Sequence, residues 1–560
     1  METHLLTAEG SGVGRVFDPL VLRCQGGSQT RPTLRLSRSR MHAGGAMLAL
    51  VLAVPGMLSA MSPVDIGSRL ELFVDRHLVD RLDNARLRLG QPQPREIALR
   101  FNEPWEMPFA GCLSVIKDGG VYRMYYRGAG ANAKGDYDPN AEVTCYAESP
   151  DGIHWTKPSL GLHEFRGSKD NNIIMGADVK RRISATFAPF LDDRPGVPAD
   201  ERYKGVGGQG GDRTIAMGPD GRGLFRLASP DGIHWRVLPG PSLFQGYALD
   251  TLNVAFWSPA EQTYVAYIRT WSEGGTPDRP KFAGYRTISR SVSKDFVTWS
   301  EPKQMSFGDA PTEQVYTIGA HPYFRAPHLI IALPFRFNPG KNVLTVEEAQ
   351  AFGLVSLPGE KTGGLHGTPL GKLGAGHALG GLSDAVLMSS RGGYAFDRTF
   401  MESFIRPGLN RHAWTARSNV PAFGVLATGE NEISVYLQTG YTSNDYHIRR
   451  YTLRTDGFAS VNAPFAGGTM LTKPLVFAGK RLVLNYSTSS VGSVKVELTD
   501  EGGKPLPGFS LTDCDEIIGD EISRTVSWKT ATDLSAIAGR PVRLRFSLKD
   551  ADLYSIQFPE

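Results

Sequence analysis

Cysteine is scarce in this chain. Only four occur in 560 residues, Cys24, Cys112, Cys145 and Cys514. Their spacings form neither a metal knuckle nor a disulfide framework. Charge of one sign is lacking too: the formal net charge is +4, with basic residues scattered beyond the first 40 positions. That balance points to neither nucleic acid nor an anionic surface as partner. After the N-terminal region, no hydrophobic run approaches the ~20 residues that span a bilayer. The twelve histidines are dispersed, with no pair at metal-ligand spacing on one element. There is no serine nucleophile elbow and no redox-cofactor fingerprint, and GVGGQGG from Gly205 follows no strand–helix pattern able to cradle phosphate. What remains is a turn-rich globular chain with 64 glycines and 41% apolar residues, long enough for two or three domains.

The compartment signal lies at the N-terminus. A basic stretch with Arg35, Arg38 and Arg40 precedes AMLALVLAVPGMLSA, an apolar run about one signal-peptide core long that ends in small residues near Ala60. Residues 1–62 therefore read as an extension and secretory signal, with Met41 as an alternative start. Pro55 and Gly56 interrupt the run, which argues against a membrane anchor. An exported chain, periplasmic or extracellular, is the expectation, and few cysteines suit a fold held by packing alone.

SPDGIHW occurs twice, at Ser149–Trp155 and Ser229–Trp235, and SKDFVTW at Ser293–Trp299 is a looser copy. Each is preceded by a strand, a turn, a strand with alternating tyrosines, a loop and a third strand. Two further units follow, from YFRAPHLIIALPFRF and from FGVLATGENEISVYLQTGY. Alternating apolar residues bounded by Gly, Asp and Pro mark strands and hairpins. Five copies of a four-stranded unit predict an all-β fold: a five-bladed β-propeller over 101–465. Residues 466–560 carry strands without the motif and predict a C-terminal β-sandwich. Residues 63–100 are expected to pack on the propeller as a lead-in strand or clasp. SPDGIHW itself is expected to be a structural turn, with Trp packed between neighbouring blades. Asp151, Asp231, His154 and His234 are therefore not catalytic candidates. Cys112 and Cys145 fall on strands two apart in one sheet and are expected to be free thiols.

Ligands of a propeller usually sit at the mouth of its central channel, where the first strand of each blade begins. Acids and aromatics near those strands are the site candidates. The first blade offers Glu103, Trp105 and Glu106, and the third offers Asp250 and Asn253. The fourth offers Glu313, Tyr316, His321, Arg325, Asp384 and Arg391; the second offers only Ser184 and Thr186. Glycosidic cleavage needs one carboxylic acid to protonate the leaving oxygen and a second group as nucleophile or base. Glu106, Asp250 and Glu313 are the expected catalytic set. Trp105 and Tyr316 offer sugar-stacking faces, whereas Trp257 reads as core. Arg325, Arg336 and Arg391 carry guanidinium forks that suit a carboxylate or sulfate on a sugar, Arg391 foremost.

The blade repeat, YRMYYRG after the first strand, and SPDGIHW together resemble the five-bladed glycoside hydrolases related to the invertase and arabinanase families 32, 43 and 68. SPDGIHW also resembles the Asp-box of sialidase-type propellers, shorter by one residue. The first resemblance covers roughly Leu70 to Ser460 and implies three channel-facing acids from the first three blades. The sequence departs from that pattern: it has no Asn-Asp-Pro-Asn box at the first blade and no Arg-Asp-Pro on the second. The resemblance implies that Glu106 or Glu103 stands for the first acid and Asp250 for the third, with Glu313 completing the set.

An exported glycosidase acting on an oligo- or polysaccharide is the leading expectation, and a non-catalytic sugar-binding or scaffold propeller is the alternative. A sialidase-like enzyme would need an arginine triad and a Tyr–Glu pair. No cofactor or catalytic metal is expected. Acids and carbonyls in GDYDPNAE offer ligands of the kind a structural calcium takes, without EF-hand spacing.

Overall fold

The computed structural model describes residues 62–107, 109–131, 137–177, 182–209, 222–354, 376–529 and 531–560. The secretory segment with Met41 and Cys24, the end of GVGGQGG and the start of GDYDPNAE lie outside the described residues. Met61–Glu560 form one compact unit. It is all-β and β-propeller-like, and among the described residues no helix is long and apolar enough to cross a membrane.

Three sheets repeat one plan, four antiparallel strands in chain order. The first holds Gly111–Asp118, Val121–Ala131, Tyr137–Ser149 and Ile173–Met175. The second holds Ala188–Leu191, Tyr203–Gly207, Phe225–Ser229 and Arg236–Val237. The third holds Val254–Ser258, Thr263–Trp271, Arg286–Ser293 and Lys303–Gln304. The next three chain passes are each cut in two. Val315–Thr317, Phe335–Pro339 and Gly381–Ala385 form one sheet, and His321–Tyr323, Ala326–Ala332 and Met388–Ser390 form the other. Pro334 falls at the break in the middle pass, where it has no N–H for the ladder.

A further sheet pairs Glu432–Thr439 with His447–Arg454, and its outer strand is Gln93–Arg100 from the lead-in segment. Its inner edge reaches the first sheet: Phe423 N–H donates to Leu113 O at 2.8 Å and Val115 N–H to Phe423 O at 2.9 Å. The lead-in thus ties the last sheet to the chain's beginning. Its earlier part turns elsewhere. Glu71–Leu72, Val79–Asp83 and Arg86–Leu89 join an eight-stranded sheet with Ala459–Ala463, Gly468–Thr472, Val483–Thr499, Asp520–Thr525 and Arg543–Gln557. That sheet covers its own apolar core, in which Phe477 stacks on Phe558 at 4.0 Å.

The seven-residue repeat folds identically in both copies. Oδ1 of Asp151 accepts the N–H groups of Ile153 and His154 at 2.8 and 2.9 Å, and Oδ1 of Asp231 accepts those of Ile233 and His234 at 2.9 Å each. Gly152 and Gly232 take φ of +74° and +79°, which favours glycine. Trp155 packs edge-on against Tyr436 of the last sheet, and Trp235 against Tyr125 of the first. Burying rings of this size is worth roughly 2–3 kcal/mol each. The motif is a structural turn that joins neighbouring sheets. Cys112, Cys145 and Cys514 are free thiols.

Candidate functional site

The starts of the inner strands meet at one pocket of about 250 Å³. Gly111 to Leu113, Thr186, Asp250 to Leu252, Tyr316, Thr317, Val420 and Pro421 wall it, one group from each sheet, and the second strands add Arg127 and Gln438. Several wall residues hold left-handed backbone despite a side chain: Cys112 at φ 52°, Arg417 at 61° and, next to the wall, Leu249 at 46°. Such conformations cost of order 1 kcal/mol or more each and persist where surrounding bonds impose them.

The bonds that impose them are visible. Asn253 is fully buried; its Nδ2 donates to Leu249 O at 3.2 Å and Thr251 O at 2.8 Å, while its Oδ1 accepts Arg269 N–H at 2.9 Å. The loop so clasped presents Asp250 to the pocket. Thr251 Oγ1 meets Thr317 Oγ1 at 2.8 Å, which locks this loop to the next inner strand. Opposite, Ser418 Oγ accepts the N–H groups of Gly440 and Tyr441, and Asn419 Nδ2 donates to Ser383 O and Ala413 O. These anchor the turn that carries Arg417.

Charge is concentrated here. Asp250 Oδ1 lies 3.5 Å from Arg269 Nη1. The guanidinium carbons of Arg269, Arg286 and Arg417 stand 4.2, 5.0 and 5.8 Å from the centre of the Tyr316 ring. Burial pushes the Tyr316 phenol up, yet Arg417, Arg269 and Arg286 outweigh it together with Asp250, and the net shift is downward. Burial, reinforced by Arg269, pulls the Arg286 guanidinium down to about 10.

Of the residues expected from sequence, Asp250 and Tyr316 are brought together in this pocket. Asn253 supports it from behind. Glu106 is fully buried and accepts from Asn102 N, Glu103 N, Tyr126 Oη and Lys157 Nζ at 2.6–3.0 Å, so it organises the loop of which the half-buried Glu103 is part. Trp105 donates to Asn172 at 2.8 Å and packs on Phe165. Glu313 is shared between Arg336 and Arg398, both at 2.7 Å, and Arg336 also forks onto Asp384 at 2.9 and 2.6 Å. Arg391 is spent on Glu71 at 2.7 Å and Asp75 at 3.0 Å of the lead-in segment. Arg325 pairs with the buried Asp456 at 3.1 Å.

His321 lies at the far ends of the inner strands, in a mainly apolar cavity of about 500 Å³ that Trp257 also lines. Burial pulls its imidazole down to about 4, and its Nδ1–H faces Gly319 O at 3.4 Å. Among the described residues no group of three or more His, Cys, Asp or Glu is placed to hold a metal ion.

Arg269, Arg286 and Arg417 were missed from sequence. Arg269 had a signal: YIRT on the third sheet's second strand repeats the place of YYRG, which carries Arg127 on the first. An arginine inside an alternating apolar strand is a buried charge in need of a reason.

No protein-family model matches the chain, and no curated protein matches it. Among solved structures, it is similar to a glycoside hydrolase at 12% identity and a TM-score of 0.41, over 65% of this chain and 92% of that one. A second is an N-acetylgalactosamine deacetylase from F. plautii in complex with blood group B trisaccharide, at 10% identity and a TM-score of 0.39 over 66% and 96%. A third comes from the GH130 family of mannoside phosphorylases, which contains glycoside hydrolases that target β-1,2 mannosidic linkages in Candida mannan; it stands at 13% identity and a TM-score of 0.33 over 65% and 94%. At these values the likenesses assign neither family nor reaction.

Proposed function

We propose that the chain is an exported glycosidase, built as a five-bladed propeller followed by a C-terminal β-sandwich, that cleaves a glycosidic bond of an oligo- or polysaccharide at the mouth pocket. The observation that carries this is the sharing of one pocket by Asp250 and Tyr316, with Arg269 against both. As the ion-pair partner of Arg269, Asp250 stands as a carboxylate, the form that takes a proton from an attacking water. Tyr316 O–H protonates the leaving oxygen, and the phenolate left behind faces three guanidiniums. One proton is taken and one delivered, so the two groups do the work of the usual carboxylate pair. No cofactor enters these steps.

Sugar release by the full chain from a panel of plant, algal and microbial glycans tests this. Asp250→Asn and Tyr316→Phe should each lower release by roughly 10²–10⁴-fold with the fold retained. Release at the ordinary rate in both variants overturns the assignment.

A non-catalytic sugar-binding propeller is the second reading. It is favoured by one observation: among the described residues lining the pocket, Asp250 is the one carboxylate. Binding on a glycan array without release from any substrate would select it.

A further inference from the structure

Around Tyr316 the described charges do not balance. Arg269, Arg286 and Arg417 converge there, and the carboxylate acting on both Tyr316 and Arg286 is Asp250. Arg269 is buried to 1% exposure, and its Nε, Nη1 and Nη2 have no hydrogen-bond partner among the described residues. Arg286 spends Nη1 on Gln314 Oε1 at 2.6 Å, while its Nε is buried without an acceptor. A buried cationic N–H without an acceptor costs the desolvation of that group, and like charges packed together add to the cost. The pocket is thus short of negative charge as well as of acceptors.

Given a glycan seated at the mouth, as proposed above, we infer that this arginine cluster receives an anionic substituent, a carboxylate or sulfate, of an acidic sugar. Arg286 and Arg417 are half-buried and within reach of the pocket, and Arg269 stands behind Asp250 and Tyr316 as a fixed charge. Guanidinium forks match planar and tetrahedral oxyanions with paired N–H donors. A neutral hydroxyl would supply an acceptor but leave the excess charge in place. The other arginines considered for this role are occupied: Arg336 by Glu313 and Asp384, Arg391 by Glu71 and Asp75. The left-handed backbone at Arg417, held by its neighbours' bonds, aims that side chain at the mouth.

The test is calorimetric titration of the full chain with oligogalacturonate, with its carboxyl-reduced neutral counterpart, and with a sulfated carrageenan oligosaccharide. One acidic probe should bind at least roughly tenfold more tightly than the neutral one, as expected of a charge-assisted fork, and lose that advantage as salt is added. Preference for oligogalacturonate identifies a carboxylate, and preference for carrageenan a sulfate. Arg286→Gln and Arg417→Gln should each abolish the advantage with circular dichroism unchanged. Should either fail to fold, Arg286→Lys keeps the charge, removes the fork and should give an intermediate affinity. Equal affinity for acidic and neutral probes, no binding at all, or an acidic preference untouched in the variants overturns the inference. Asp250-dependent release from a neutral glycan without charge preference would leave hydrolysis standing and remove the anion site. Arginine-dependent binding of an acidic glycan without release would do the reverse.

Discussion

Nη1 of Arg269 lies 3.5 Å from Oδ1 of Asp250, and the arginine side chain is wholly buried while the aspartate is 23% exposed. The aspartate is therefore the one counter-charge through which a desolvated guanidinium meets the pocket. Removing one partner of such a pair leaves an uncompensated charge, whereas removing both does not. Asp250→Asn should destabilise the fold by about 2–4 kcal/mol, less than for a fully buried pair because Asp250 reaches solvent. Arg269→Met with Asp250→Asn should lie closer to the wild type than the sum of the single changes, with a coupling above about 1 kcal/mol. Urea unfolding of the four proteins measures it, and simple additivity would count against the pairing.

Glu106 separates stability from catalysis. All of its bonds run to its own loop, Tyr126 and Lys157, and the Lys157 ammonium is 2.7 Å away at 17% exposure. Glu106→Gln should cost about 3–5 kcal/mol of stability by stranding that charge. At a temperature where the variant is folded, sugar release per folded molecule should match the wild type. A selective loss of release would return Glu106 to the catalytic set.

Glycines at positive φ differ in what surrounds them. A Cβ on Gly119, at φ +57°, meets nothing within 4 Å, whereas on Gly232, at φ +79°, it would lie 2.6 Å from Tyr125 Oη. Gly119→Ala should cost about 1 kcal/mol, the backbone penalty alone. Gly232→Ala adds overpacking between two sheets and should cost about 2–4 kcal/mol. Denaturation midpoints compare them, and equal losses would refute the inter-sheet contact.

The blade units, their turns and the free thiols were legible because strand alternation and turn chemistry are local. SPDGIHW names its own bonds: Asp accepts from the residues two and three ahead, and Gly takes the left-handed corner. The role of each acid was not legible. Glu106, Glu313 and Asp250 look alike in a strand list, and only the three-dimensional partners separate them. Glu313 is claimed by Arg336 and by Arg398, which lies 85 positions away in the chain. Arg391 reaches Glu71 across 320 positions. Such ion pairs leave no periodic mark in the sequence.

Acid sensitivity should centre on Glu71. Burial pushes its carboxyl up, but His328 and Arg391 outweigh burial and hold it at about 2. A depressed carboxyl stabilises the fold fully above its unfolded value near ~4.3 and loses that contribution as pH falls through the folded value. The loss should therefore run from about pH 4.5 to about pH 2. Glu71→Gln should lower stability at neutral pH and flatten that limb of the stability–pH curve. Parallel curves for the two proteins would show that the Glu71 pair carries no linkage.

Asn253 gives the sharpest test of positioning, because one atom can be changed without changing shape. Its Nδ2 donates to two carbonyls, and its Oδ1 accepts Arg269 N–H. Asn253→Asp keeps the acceptor but turns a carboxylate oxygen toward Leu249 O and Thr251 O. Three oxygens then face one another in a site without solvent, so the loop that presents Asp250 should open. Sugar release at neutral pH should fall by roughly tenfold or more through kcat, with KM less affected, since the reacting groups are misplaced rather than the sugar contacts. Burial and the two carbonyls favour the protonated acid, which can donate again. The introduced carboxyl would therefore titrate higher in the folded than in the unfolded chain, and its stability deficit should shrink as pH falls. A deficit constant with pH, or unchanged kcat, would show that this side chain fills space and does not aim Asp250.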